Sequence, residues 1–116
     1  MIPSNKIKEI KSILKNQLNF ILIRELSKID YRKFIYEFFS MLNEYKNFGL
    51  KMIDIKDVVN DIFTDQSKYF DGNVVNEDKL GFITEELICF CSSPFFLDIA
   101  LEEYMKKWER LYFPIL

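Results

Sequence analysis

Apolar residues recur along this chain at spacings of three and four, the period of one buried helical face. Ile7, Ile10, Leu14, Leu18 and Ile21 mark the first such face, and Lys6, Lys8, Lys11 and Lys15 mostly occupy the other side. Ser4 suits the N-cap of this helix, with Pro3 just outside it. The run 20–23 is apolar all round. Its period does not separate a helix end from a short strand, but Arg24-Glu25-Leu26 continues without a breaker, which favours helix.

Asp30 is the expected cap of a second helix, whose face is Phe34, Ile35, Phe38, Met41, Leu42 and Tyr45. Asn47-Phe48-Gly49 reads as its stop, with Gly49 supplying the left-handed conformation. A third helix follows, with Met52, Ile55, Val59, Ile62 and Phe63 on one side. Asp71-Gly72-Asn73 is the clearest turn in the chain. A fourth helix is expected from about 76 to 91, with Leu80, Ile83, Leu87 and Phe90 or Cys91 inward. Gly81 weakens it by roughly 1 kcal/mol relative to Ala. Ser93 as N-cap and Pro94 at the first helical position open a fifth. It carries Phe96, Leu97, Ala100, Leu101, Tyr104, Met105, Trp108 and Leu111, and Pro114 ends it. The expectation is an all-α fold: a bundle of about five helices forming a single domain over residues 1–116.

Composition supports that picture. Twelve Phe and six Tyr give a chain of 116 residues large rings to bury, so disulfides or metals are not needed for a core. Three Gly and three Pro are too few for the turns of a many-stranded sandwich or barrel. The apolar runs 20–23 and 94–97 are too short to cross a bilayer. No apolar signal core follows the N-terminal charges, and Cys89 and Cys91 are badly spaced for a disulfide framework. The cytoplasm is the expected compartment.

Most catalytic chemistry has no residues to run it. There is no histidine, which removes the commonest general base, the usual triads and most catalytic zinc sites. No glycine-rich phosphate loop is present. Acidic residues are plentiful, but no pattern marks the converging carboxylates of a hydrolase or metal-dependent nuclease. On a helix Cys89 and Cys91 diverge by about 200°, at about 100° per residue, and read as buried apolar residues. Gly72 directly after Asp71 breaks the calcium-loop template. No catalytic residue, cofactor or metal is expected.

Charge is more informative. Asp54, Asp57, Asp61 and Asp65 fall in one narrow stripe of the third helix, opposite Ile55, Val59, Ile62 and Phe63, so the stripe should be exposed. Like charges at i,i+4 destabilise a helix by about 0.2–0.5 kcal/mol per pair. A sequence selected only for stability would place a Lys among them. The stripe is either a solvated face or a docking surface for a basic partner. Residues 1–33 carry +5, residues 34–103 carry −9 and residues 104–116 carry +2, which together make the formal −2. A near-neutral total thus hides a strongly negative middle that would steer a positive partner. The lysines of the first helix lack aromatic interleaving, so neither nucleic acid nor membrane is an expected partner.

The stretch Glu85-Glu86-Leu87-Ile88-Cys89-Phe90-Cys91-Ser92-Ser93-Pro94-Phe95-Phe96-Leu97-Asp98-Ile99-Ala100-Leu101-Glu102-Glu103-Tyr104, running on to Lys107-Trp108-Glu109, resembles small immunity proteins of bacterial toxin systems, including those of contact-dependent growth inhibition. The likeness covers about the last third of the chain and lies in general character, so no functional residue is carried over. It implies a bacterial, cytoplasmic, non-catalytic inhibitor that binds one cognate toxin, often a nuclease with a basic cleft. Asp54, Asp57, Asp61 and Asp65, with Glu44 and Asp71 beside them, are then the candidate partner-binding residues. The competing expectation is a helical adaptor or regulatory subunit, for example a phage-encoded one. It would dock through an apolar or aromatic patch containing Trp108 or Tyr112.

Overall fold

A computed structural model describes residues 4–47, 50–90 and 100–116. Helix α1 spans Ser4–Gln17, α2 Phe20–Arg24, α3 Lys28–Asn47, α4 Met52–Gln66, α5 Val74–Phe90 and α6 Leu101–Lys107. Every regular element among the described residues is helical, as the periodicity predicts. None of these helices is long and apolar enough to cross a membrane. The expected stop at Phe48-Gly49, the inward placement of Phe90 or Cys91, and the helix start at Ser93-Pro94 lie outside the described residues.

The run 20–23 is helical, but the first helix is not continuous through it. The chain breaks at Leu18-Asn19, and the Asn19 side chain accepts the Leu22 N–H at 3.1 Å, capping α2 as a separate element. The break also changes register. Ile10, Leu14 and Leu18 are buried as predicted, whereas Ile21 stands 38% exposed and Phe20 and Ile23 take the interior. At the start of α3 the cap is Ser27, whose Oγ accepts the Asp30 N–H at 3.1 Å, and not Asp30. Asp30 lies in the first turn, where a carboxylate favours the positive end of the helix dipole.

The buried side chains form one cluster. Helix α4 runs between α1 and α5, α2 lies on α5, and α3 packs on α6. Ile55, Val58, Val59 and Ile62 are the inward face of α4, so Val58 replaces Met52 and Phe63, which are exposed. Rings fill the α3–α6 interface: Phe39 sits 5.2 Å from Tyr104 and 5.6 Å from Trp108, centroid to centroid. The turn at 71–73 is present, with Gly72 at φ +79°, the left-handed region where a side chain is disfavoured.

The fifth predicted helix does not run unbroken from Pro94 to Leu111. Ala100 is extended, at φ −65° and ψ 153°, and exposed; α6 starts after it. Beyond Lys107 the helix widens into a π-turn, Trp108–Tyr112, and then tightens at Phe113–Ile115 around Pro114. Tyr104, Met105 and Trp108 are buried as predicted. The wider turn advances the register, so Leu111 rotates outward to 47% exposure and Tyr112 packs on Trp108 at 4.6 Å.

Candidate functional site

The aspartate stripe is a seam between helices. Helix α1 lies along α4, and its lysines meet the stripe rung by rung. Lys11 Nζ donates to Asp57 Oδ2 at 2.9 Å, and Lys15 Nζ donates to Asp61 Oδ2 at 3.0 Å. Lys11 and Lys15 are one turn apart, as are Asp57 and Asp61, so parallel rows of opposite charge face each other. Lys11 Nζ also stands 3.8 Å from Asp54 Oδ1. The lysines missing from the stripe itself are supplied by another helix.

Asp54 departs furthest from the expectation of exposure. It is only 9% exposed, and its Oδ2 accepts the Lys51 N–H at 3.0 Å at the start of α4. This is the return bond of a capping box, made to an N-cap residue whose ammonium has no acceptor to complete the other half. Asp65 is the exception at the far end: exposed, with no basic partner among the described residues. The position in step with it beyond Lys15 is Asn19, already engaged as the cap of α2.

Asp71 is held inside its turn. Its Oδ1 accepts the Asn73 N–H at 2.9 Å, while its Oδ2 accepts the Asn76 amide at 3.1 Å and Arg24 Nη1 at 3.4 Å. The Asn73 bond foremost, then the Asn76 and Arg24 contacts, hold its carboxyl below the ordinary range. Glu44 is different. It is exposed on α3 and lines a groove of about 510 Å³ with Tyr36, Glu37, Ser40, Met41 and Leu101. The six candidate residues therefore do not converge: three serve the α1–α4 seam, one closes a turn, and Asp65 and Glu44 remain free of ion pairs among the described residues.

Two charged residues of α5 that sequence reasoning passed over lie inside. Glu86 is 3% exposed and accepts Tyr104 Oη at 2.9 Å, Tyr112 Oη at 2.6 Å and Lys107 Nζ at 2.8 Å. Trp108 Nε1 donates onward to Tyr104 Oη at 3.1 Å. Burial, chiefly, and then the Glu86 charge push the Tyr104 phenol well above its ordinary value. Lys79 Nζ donates to the carbonyls of Arg24 at 3.1 Å and Leu26 at 2.8 Å, closing the C-terminal end of α2 with a cation. Tyr31 Oη donates to the Lys79 carbonyl at 2.6 Å. A signal existed: Lys79 and Glu86 are seven apart, on rows adjoining Leu80 and Leu87, so they share the helix's inward side.

Chemically these clusters are closed. No buried side-chain nitrogen or oxygen among the described residues lacks a hydrogen-bond partner, and no group of three or more potential metal ligands is present among them. Glu86 accepts from three side-chain donors. The accessible chemistry belongs to outward charged side chains. Comparison with protein-family models, curated proteins and solved structures finds no match for this chain.

Proposed function

We propose that this chain is a non-catalytic inhibitor of the immunity type, which neutralises a cognate bacterial toxin domain of basic surface by binding it. The observation that carries this reading is the set of exposed carboxylates without internal counterions. Asp30, Glu37, Glu44, Asp65, Glu85 and Glu102 are exposed and have no basic partner among the described residues. Lys11 and Lys15 neutralise the aspartates of the seam, so they are not available to offset these six. A rigid helical scaffold presenting unpaired negative charge accelerates encounter with a positive surface and penalises wrong partners. It also loses little conformational freedom on binding.

The test is growth rescue. The toxin domain encoded beside this chain's gene is expressed alone and together with it. Restored growth, with a stoichiometric complex whose on-rate falls as salt rises, supports the reading. Unchanged killing in the presence of the folded chain sinks it.

The adaptor reading draws support from a different place than the C-terminal aromatics. Trp108 is fully buried and belongs to the core, while Leu22, Ile29 and Val74 are exposed apolar side chains. An adaptor docking through them would bind almost independently of salt, which separates the two readings.

A further inference from the structure

We infer that the groove between α3 and α6 is the surface that receives the partner, taking a basic amphipathic segment with its apolar side chains on the apolar lining and its cations at the lining carboxylates. This rests on the inhibitor reading above and names the site for it. Its lining joins Tyr36, Met41 and Leu101 with the polar Glu37, Ser40 and Glu44. A volume of about 510 Å³ falls within the ordinary range for ligand clefts, roughly 300–1,000 Å³.

Three observations select the occupant. First, Glu37 and Glu44 stand two turns apart on one face of α3, so both project along the same side of the groove. Second, neither has an ion-pair partner among the described residues, in contrast to Asp57 and Asp61. Arg32, 5.6 Å from the Tyr36 ring centroid, is paired with Glu109 at 2.6 Å, and neither it nor Lys33 lines the groove. Third, the wall is held in place before any partner arrives. Tyr36 Oη donates to Glu109 Oε1 at 2.9 Å, and the Tyr36 ring stacks on Phe113 at 6.5 Å. That bond ties α3 to the π-turn that follows α6, so little ordering remains to be done on binding. An apolar lining with unpaired carboxylates complements a helix carrying Leu on one side and Lys or Arg beside it. An acidic segment would be repelled and a purely apolar one would leave the lining carboxylates desolvated.

The probe is a synthetic 14-residue amphipathic helix with Leu on one face and Lys on the other, titrated into the full chain carrying ¹³C-methyl methionine. Met41 reports the groove and exposed Met52 on α4 is the internal control. The expected result is a saturable shift of Met41 and not Met52, weakened about five- to tenfold by the double change Glu37→Gln and Glu44→Gln. The charge-matched pair Glu9→Gln and Glu25→Gln, exposed and away from the groove lining, should leave the affinity unchanged, and a Leu/Glu peptide should not bind. No saturable shift, a shift centred on Met52, or equal weakening by both variant pairs overturns the groove. In the growth assay, rescue by wild type but not by the E37K/E44K variant supports both ideas. Equal rescue by both sinks the groove and leaves the inhibitor reading standing. No rescue by wild type sinks the inhibitor reading, and the peptide titration alone then decides the groove.

Discussion

Lys15 Nζ lies 3.0 Å from Asp61 Oδ2, and one turn back along both helices Lys11 Nζ lies 2.9 Å from Asp57 Oδ2. Each pair bridges 46 residues of sequence. Helix α4 tolerates its row of like charges because α1 brings the opposite row alongside.

Removing the lysines should expose that repulsion. The K11A/K15A variant is expected to lose about 0.5–2 kcal/mol, from two partly exposed pairs at about 0.2–1 kcal/mol each plus the restored Asp–Asp repulsion. Urea titration at low and high salt checks it: the loss should shrink as salt rises. A loss that ignores salt would assign the effect to packing of the lysine stems instead.

The four aspartates should not behave alike. Asp54→Ala removes the acceptor for the Lys51 N–H and is expected to cost about 0.5–2 kcal/mol, the range for lost caps. Asp65→Ala, exposed and unpaired, is expected to stay within about 0.5 kcal/mol of wild type. Melting curves of the two variants side by side decide the matter. Equal effects would return the stripe to a single solvated face.

Glu86 is the most sensitive charged position. Glu86→Ala removes the buried carboxylate that accepts from the Lys107 ammonium and from the Tyr104 and Tyr112 hydroxyls. The expected loss is about 1.5–3 kcal/mol, the range for hydrogen bonds to a charged group, because Lys107 keeps 27% of its side chain exposed. Glu86→Gln keeps an acceptor and should cost less. Chemical denaturation with near-ultraviolet dichroism of Trp108 measures both. Similar losses for the two variants would show that shape rather than charge matters there.

Alkali should unfold the chain earlier than an average helical protein. Burial, above all, pushes the Tyr31 and Tyr104 phenols well above the ordinary 10.0. The folded state then holds a proton that the unfolded chain gives up. Their contribution is complete below pH 10 and is lost as pH rises above it, at about 1.4 kcal/mol per pH unit per tyrosine. Stability should be nearly level from pH 9 to 10, fall on this slope from pH 10 to 11, and flatten in the Y31F/Y104F variant. An unchanged slope in that variant would refute the assignment.

Local signals were legible wherever one helix's own face decided the outcome. Ile10, Leu14, Leu18, Ile35, Leu42, Ile55, Ile62, Leu80, Ile83 and Leu87 are all buried where periodicity puts them. The turn at Gly72 was equally plain, because its backbone demand is met by one residue type. The boundaries were harder. Asn19 and Ser27 are ordinary polar residues until a side-chain oxygen finds a free N–H, and apolar spacing does not record that event. The π-turn at Trp108–Tyr112 left no trace in the pattern, since α-helical spacing places Leu111 inward.

The sequence by itself determined the helical class, most inward faces and the lack of histidine chemistry, because these depend on residue type and on spacings of three and four. Which charges remain unsatisfied was decided only by the tertiary structure. Asp57 and Asp61 meet lysines from α1, Asp71 closes a turn, Glu86 and Lys79 turn inward, and Glu37 and Glu44 are left at an open groove. The reason is range. Helix periodicity is written over four residues, whereas a charge is neutralised by whatever packing brings within about 4 Å, however distant in the chain.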